Sequence, residues 1–254
     1  MQHWELILFF SVIAFIYSSV GFGGGSSYLA VLALYALPFK EIRLIALLCN
    51  IVVVSGGVYI YARHHQIDWK KISVLVGLSV PLAYIGAIIQ ISEDTFFIIL
   101  GFTLIVAALL LWLKTNPAAV SGINEPQKNN ALKNGLLGGS IGFLSGMVGI
   151  GGGIFLAPVL NLMRWDVPQK IAATASMFIL VNSVSGLIGQ LATVSYENLN
   201  YTMILLLCAA VFLGGQLGSR MSLRFNPLVV RRLTALLVFF AGTEVLVKHL
   251  HKFV

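Results

Sequence analysis

Charge is what this 254-residue chain has least of. Asp, Glu, Lys and Arg together make up 10% of it, against about 25% in a soluble domain. Acidic side chains number only nine, and none lies clearly at the centre of an apolar run, so a carboxylate proton relay through a membrane is not expected. Glu244, near the outer end of the last run and ahead of Lys248, reads as half of an interfacial pair. Cysteine is almost as scarce. Cys49 and Cys208 each fall inside an apolar stretch, which excludes a disulfide framework and a thiolate metal site. His64 and His65 sit beside Arg63 in a basic turn, and His249 and His251 lie in the tail. No nucleophile–base pair or metal-ligand spacing emerges, so neither an enzyme nor a cofactor is expected. The net charge of +7 would suggest nucleic acid in a soluble protein. Here the basic residues cluster between apolar runs, and orientation in a membrane is the better reading.

What remains is overwhelmingly apolar: 58% hydrophobic residues and a mean hydropathy of +0.93. Leu44 to Tyr61, Ile72 to Gln90, Phe96 to Leu113, Ile171 to Leu191 and Tyr201 to Ser219 approach the roughly 20 residues that span a bilayer. Leu233 to Val247 is shorter. Met1-Gln-His-Trp-Glu5 places no Lys or Arg ahead of Leu6 to Val20, which argues for a retained membrane segment rather than a cleaved signal.

Two glycine knots interrupt this pattern, Gly21-Phe-Gly23-Gly24-Gly25-Ser26 and Gly149-Ile-Gly151-Gly152-Gly153-Ile154. Each helical glycine costs about 0.8–1.0 kcal/mol relative to Ala, and freed backbone at membrane depth is tolerated only where it lines a buried cavity or path. No alternating strand–helix units surround Gly21-x-Gly23-x-x-Ser26, so a dinucleotide fingerprint is rejected. A glycine run leading into a helix leaves backbone N–H groups unpaired at the positive end of the helix dipole, which suits an anion. Positive φ at glycine lets such groups form a concave nest. The candidate binding residues are therefore Gly23, Gly24, Gly25, Ser26 and Ser27 from the first knot and Gly151, Gly152 and Gly153 from the second. Asn50 and Asn182, amides deep in the spans that follow, join them. Ile154 and Phe155 stand where the first copy has Ser26 and Ser27, so the site is expected to be asymmetric. Thr174, Ser176, Ser183, Ser185, Ser55, Gln90 and Gln216 read as polar contacts between helices.

The knots mark an internal repeat. With Gly21 laid on Gly149 and a two-residue insertion after it, Pro38 falls on Pro168, Lys40 on Lys170 and Ser55-Gly56 on Ser185-Gly186; further on, Gly86 meets Gly218. The polar stretch Lys114 to Ala131 divides the halves, giving a first repeat over 1–113, a linker over 114–131 and a second repeat over 132–254. Basic residues then test the topology. If each glycine-broken segment crosses once, they divide evenly between the two faces. If the chain turns back at the glycines, twelve fall on one face and four (Lys40, Arg43, Lys248, Lys252) on the other, as the positive-inside rule requires. The arms Leu6 to Val20 and Ser26 to Leu37 would rise only about 18–23 Å, too short for full spans. The expected fold is an all-α polytopic membrane protein of two homologous, inverted repeats. Each repeat is a glycine-broken helical hairpin plus three transmembrane helices, with the linker in the cytoplasm and both termini outside.

Ser145-Gly-Met-Val-Gly149-Ile-Gly-Gly-Gly153-Ile-Phe-Leu-Ala-Pro158 resembles the glycine-rich signature of the sulfite exporter TauE/SafE family, and Ser18-Ser-Val-Gly21-Phe-Gly-Gly-Gly25 resembles its partner. Ala30 stands where the second copy has Pro158. The resemblance covers nearly the whole chain. It implies a bacterial inner-membrane permease exporting small sulfur-containing anions such as sulfite or organosulfonates, with eight spans in two halves of four. The charge count favours inverted halves with hairpins instead. An alternating-access secondary transporter is the leading expectation; a passive anion channel and a non-transporting membrane assembly factor are the competing ones. The expected partners are the lipid bilayer and a small anionic substrate, not nucleic acid. A homo-oligomer is compatible with the sequence but not specified by it.

This topology predicts that single cysteines placed in the Lys114–Ala131 linker and at the C-terminus, in a background lacking Cys49 and Cys208, react with impermeant thiol reagents from opposite sides of the membrane. Labelling from the same side would refute inverted repeats.

Overall fold

A computed structural model describes residues 4–19, 21–35, 37–89, 91–112, 130–163, 165–194, 199–221 and 227–250. The regular structure among the described residues is all helix, with no strand: α1 (Trp4–Ser18), α2 (Gly25–Leu34), α3 (Phe39–Arg63), α4 (Trp69–Ile88), α5 (Glu93–Trp112), α6 (Ala131–Val148), α7 (Gly153–Leu162), α8 (Pro168–Thr193), α9 (Tyr201–Met221) and α10 (Pro227–Leu250). By length and composition, five of them can cross a membrane: α3, α4, α5, α8 and α9. This is an all-helical, multi-pass architecture, as the composition requires. The linker, apart from Asn130 and Ala131, lies outside the described residues, as do Gln90 and Val20. The long helices outrun their apolar runs, α3 and α10 most at their starts. α10 begins at Pro227, and α3 begins at Phe39, so Lys40 and Arg43 belong to a helix and not to a loop.

Capping sets the helix starts. Asp68, Asn130 and Asn200 each accept the N–H three residues on, at 3.1, 3.4 and 3.0 Å respectively, satisfying one of the donors a helix start leaves open.

Glycine sets how closely the helices approach. Gly138, Gly142 and Gly146 of α6 face Leu75, Ser79 and Ala83 of α4, and a Cβ at Gly138 or Gly146 would overlap the facing carbonyl oxygen. Both series advance together in steps of four, so the two helices run parallel, packed through a small-residue seam. Gly214 and Gly218 of α9 meet the Ser11 and Phe15 carbonyls of α1 in the same way. The pairing of Gly86 with the Phe143 carbonyl repeats that of Gly218 with the Phe15 carbonyl, at matched positions of the two halves.

The remaining contacts orient the other elements. Gln190 donates to the Lys40 carbonyl at 2.9 Å, Leu47 lies against Gly186, and Gly57 approaches Ser176, so α3 and α8 are antiparallel. Val53 faces Gly215 and Gly57 faces Ser219, aligning α9 with α3. Ser79 donates to Asn182 at 2.6 Å and Ser185 to the Val80 carbonyl at 2.7 Å, aligning α8 with α4. Gly101 and Gly242 pack mutually, with Gly101 also against Leu246 and Gly242 against Ile105, so α5 and α10 are antiparallel. One set, α1, α3 and α9, therefore points one way and another, α4, α6 and α8, the opposite way. Because α1 and α3 share a direction, α2 returns the chain between them; α7 does the same between α6 and α8.

The seam yields a paired test. Gly146→Ala forces α4 and α6 apart and lowers detergent-state stability by roughly 1–3 kcal/mol, the usual overpacking cost. Gly77→Ala on the same α4, with nothing within 4 Å of its Cβ position, leaves stability unchanged or raises it by up to about 1 kcal/mol through helix propensity. Thermal unfolding of both variants decides; equal effects would mean that the seam does not set the approach.

Candidate functional site

Both knots break the backbone by the same local chemistry. After α1, Gly21 adopts φ 81°, its N–H reaches the Ser18 carbonyl (3.2 Å), and the Phe22 N–H reaches back to Tyr17 (2.9 Å). This is a Schellman-type end, which left-handed glycine makes accessible. After α6, Gly149 adopts φ 80° and the Ile150 N–H reaches Ser145 at 3.3 Å. Gly24 (φ 88°) and Gly152 (φ 81°) then open α2 and α7, each carbonyl accepting from two N–H groups of the new helix. Gly151 is also left-handed, at φ 84°. Among the described residues, none accepts a hydrogen bond from the N–H groups of Gly23 to Ser26, nor from those of Gly151 to Ile154. All of these residues are buried. Unpaired donors at buried helix starts are costly, and at a glycine nest they are an anion's natural partners.

The breaks meet one another. Cβ atoms added at Gly23 or Gly25 would overlap the Asn50 amide, and one added at Gly153 would overlap Ile179. A Cβ added at Gly151 would stand 2.8 Å from Ile179, 2.7 Å from Ser183 and 3.2 Å from Asn50. Asn50, fully buried on α3, donates its Nδ2 to the Ile150 carbonyl at 2.8 Å and so ties the first half to the second knot. Its Oδ1 and the Ser183 hydroxyl are buried without a hydrogen-bond partner. Such a group costs about 1–3 kcal/mol when left unsatisfied. Ser176 donates to the Gly21 carbonyl at 2.9 Å, a reciprocal tie from the second half to the first knot.

Not every candidate from the sequence sits here. Asn182 is turned away: its Nδ2 goes to the Phe178 carbonyl (2.8 Å) and its Oδ1 accepts from Ser79. It joins α8 to α4. Ser26 and Ser27 are buried at the start of α2 but make no side-chain cap there; they surround the Tyr17 hydroxyl at 3.5 and 2.6 Å. Ser183, Ile179 and Tyr17 join the cluster although their spacing in the sequence does not mark them. Asn50 and Ile179 play matched parts, one amide and one hydrocarbon, so the asymmetry expected from Ser26 and Ile154 extends to the helices behind the knots.

The model of the sulfite exporter TauE/SafE family matches residues 6–245, a span that takes in both knots and most or all of every helix just described. The chain belongs to this family. It is 30% identical over 95% of its length to probable membrane transporter protein y4hK of Sinorhizobium fredii, covering 97% of that protein. Similarity to probable membrane transporter protein YunE of Bacillus subtilis is 23% identity over 73% of each chain. To probable membrane transporter protein MJ0441 of Methanocaldococcus jannaschii it is 26% over 67% of this chain and 66% of the relative. No solved structure matches the chain.

In this TauE/SafE-family protein the two ends of the bundle differ. At one, Lys71 of α4 pairs with Asp166, between α7 and α8, at 2.6 Å, and its ammonium lies 4.9 Å from the Trp165 ring centre. Beneath lies a separate apolar cluster of Ile67, Ile72 and Ala173. At the other end the repeat puts Asn200 and Met203 in the places of Asp68 and Lys71. There a cavity of about 710 Å³ opens between the starts of α1, α3 and α9, lined by Leu6, Leu37, Ile45 and Met203 among others. Its charged lining residue is Glu41, which does not suit an anion, so the binding assignment stays with the knots.

Partial burial works against the Asp166 carboxylate, but the Lys71 ammonium, the Val167 N–H and Lys170 outweigh it and hold its pKa below the ordinary range. A depressed carboxylate adds stability above its unfolded pKa of about 3.9 and loses that contribution as pH falls through the folded value. Asp166→Asn therefore lowers the melting temperature by a near-constant amount from neutral pH to about 5, equivalent to roughly 1 kcal/mol or less, and the gap closes below about pH 4. A gap that persists in acid would show that the ion pair is not its source.

Proposed function

We propose that this protein is a secondary transporter for small sulfur-containing anions, sulfite or organosulfonates, working by alternating access in a bacterial inner membrane. The observation that carries the reading is the convergence of both knots on Asn50, with the N–H groups of Gly23 to Ser26 and Gly151 to Ile154 turned from helix bonding. Facing nests of this kind suit a small anion with several oxygens, which accepts from many donors at once. The family's description as sulfite exporters supplies the substrate class.

Inverted repeats are the arrangement that best fits the helix directions. α3 and α8 are equivalent helices and antiparallel, as are α5 and α10. A two-fold axis relating them lies across the helices, hence in the membrane plane. The hairpins α1–α2 and α6–α7 then enter from opposite faces. Burial of Arg43 takes it out of the loop count and leaves twelve basic residues against three, a stronger cytoplasmic bias on the linker face. Repeats of this kind transport by exchanging roles, and the ends differ accordingly: the Lys71–Asp166 pair closes the linker side while a cavity opens on the other. A closed, buried centre also favours alternating access over a passive channel.

Sulfite flux into proteoliposomes, with a thermal-shift assay in detergent, tests the reading. Glycine substitutions are poor probes, because Gly24 and Gly152 are left-handed and close to Tyr28 and Phe178. Asn50→Asp is better: it places a carboxylate where the anion is held and lowers binding and flux more than tenfold. A ligand at 100-fold excess over its Kd adds about 2.7 kcal/mol of stability. Wild-type protein with no shift and no flux for sulfite, sulfate, thiosulfate or an organosulfonate would refute the anion site.

A further inference from the structure

Asn50 presents its two polar atoms to different knots. Its Nδ2 donates to the Ile150 carbonyl of the second knot at 2.8 Å. A carbonyl only accepts, so this bond fixes which way round the amide stands and leaves Oδ1 on the other side. There Oδ1 meets the first knot: a Cβ added at Gly23 would overlap it, and one added at Gly25 would stand 2.9 Å from it. The residue is fully buried, and Oδ1 has no hydrogen-bond partner. An amide oxygen accepts and cannot donate. The Ser183 hydroxyl, also buried and unpartnered, is different, because it can turn to give a hydrogen or to take one. A fixed acceptor therefore stands beside the unpaired N–H groups of Gly23 to Ser26, where the reading of the knots places an anion.

An oxyanion with no hydrogen to give is ill-suited to that acceptor. Its oxygens would face Oδ1 lone pair to lone pair, and the buried amide oxygen would stay unsatisfied, which counts against the ligand. We propose that the site selects oxyanions carrying an O–H or N–H of their own, donated to Asn50 Oδ1. This deepens, and rests on, the reading of the knots as an anion site. The nests hold the charged oxygens, and Asn50 reads the remaining substituent. Among sulfur anions, hydrogensulfite in its hydroxyl form meets this demand and fully ionised sulfite does not. A site that pairs with a ligand's donor discriminates strongly against the analogue lacking it, because the site's own buried group is then stranded.

Sulfamate and methanesulfonate test this, being monoanions of nearly the same shape that differ in an amino group in place of a methyl. Dissociation constants for both are measured by calorimetry on full-length protein in detergent at constant ionic strength. Sulfamate binds roughly ten- to a hundredfold more tightly. Equal binding, or tighter binding of methanesulfonate, overturns the selection while leaving the anion site standing. Asn50→Leu removes the acceptor and brings the ratio to within about twofold of one, whereas Ser183→Ala keeps it. A ratio that survives in Asn50→Leu, or vanishes in Ser183→Ala, overturns the role given to Asn50. Thermal unfolding establishes that the leucine variant is folded; if it is not, the wild-type ratio decides. Wild-type protein that binds neither anion removes the anion site and this inference with it.

Discussion

Unsatisfied backbone in a place without water is the constraint on which the rest of this structure depends. Hydrocarbon offers nothing to a free N–H, so a chain crossing it stays helical. The protein breaks that rule twice, and each break is bounded by left-handed glycines that end one helix and start the next within four residues. The helix-end carbonyls are satisfied by Schellman-type bonds; the N–H groups of the following starts are not. Asn50 and Ser176 bind the carbonyls of the opposite half's knot. The donors remain, and they are what the fold brings together.

Close packing makes that concentration stable. Glycine seams bring α4 to α6 and α1 to α9, so that each hairpin's first arm is held by a long helix from the other half. Neither half builds its own support. Shape fit and the Ser79–Asn182 and Ser185–Val80 hydrogen bonds hold the interface, since lipid tails offer little hydrophobic force between helices. The interface is polar in a few places and close-packed through small residues elsewhere.

The two knots and the membrane class were legible in the sequence, because glycine conformation and hydropathy are local properties of the chain. So was Asn50 as a residue to watch, a single amide in a long apolar run, and the structure buries it against the second knot. Asn182 looked equally good and is not equivalent. Its partner Ser79 lies 103 residues away, and nothing in the spacing tells which neighbour will face it. Arg43 was misplaced for a related reason: the apolar run begins at Leu44, whereas α3 begins a turn earlier at Phe39 and carries the charge inward.

By itself the sequence determined that the chain carries helices able to span a membrane, that its glycine knot occurs twice, and where its backbone must break. Those outcomes follow from residue type: too few charges for water, too many glycines for a continuous helix. Tertiary structure alone decided which groups stand at the breaks. It paired Asn50 with Ile150, set Ser183 beside Gly151, turned Asn182 to α4 and buried Arg43 against Gly146. A helix face can be read from periodicity only where its two sides differ in polarity. In helices apolar all round, packing between halves chooses the face.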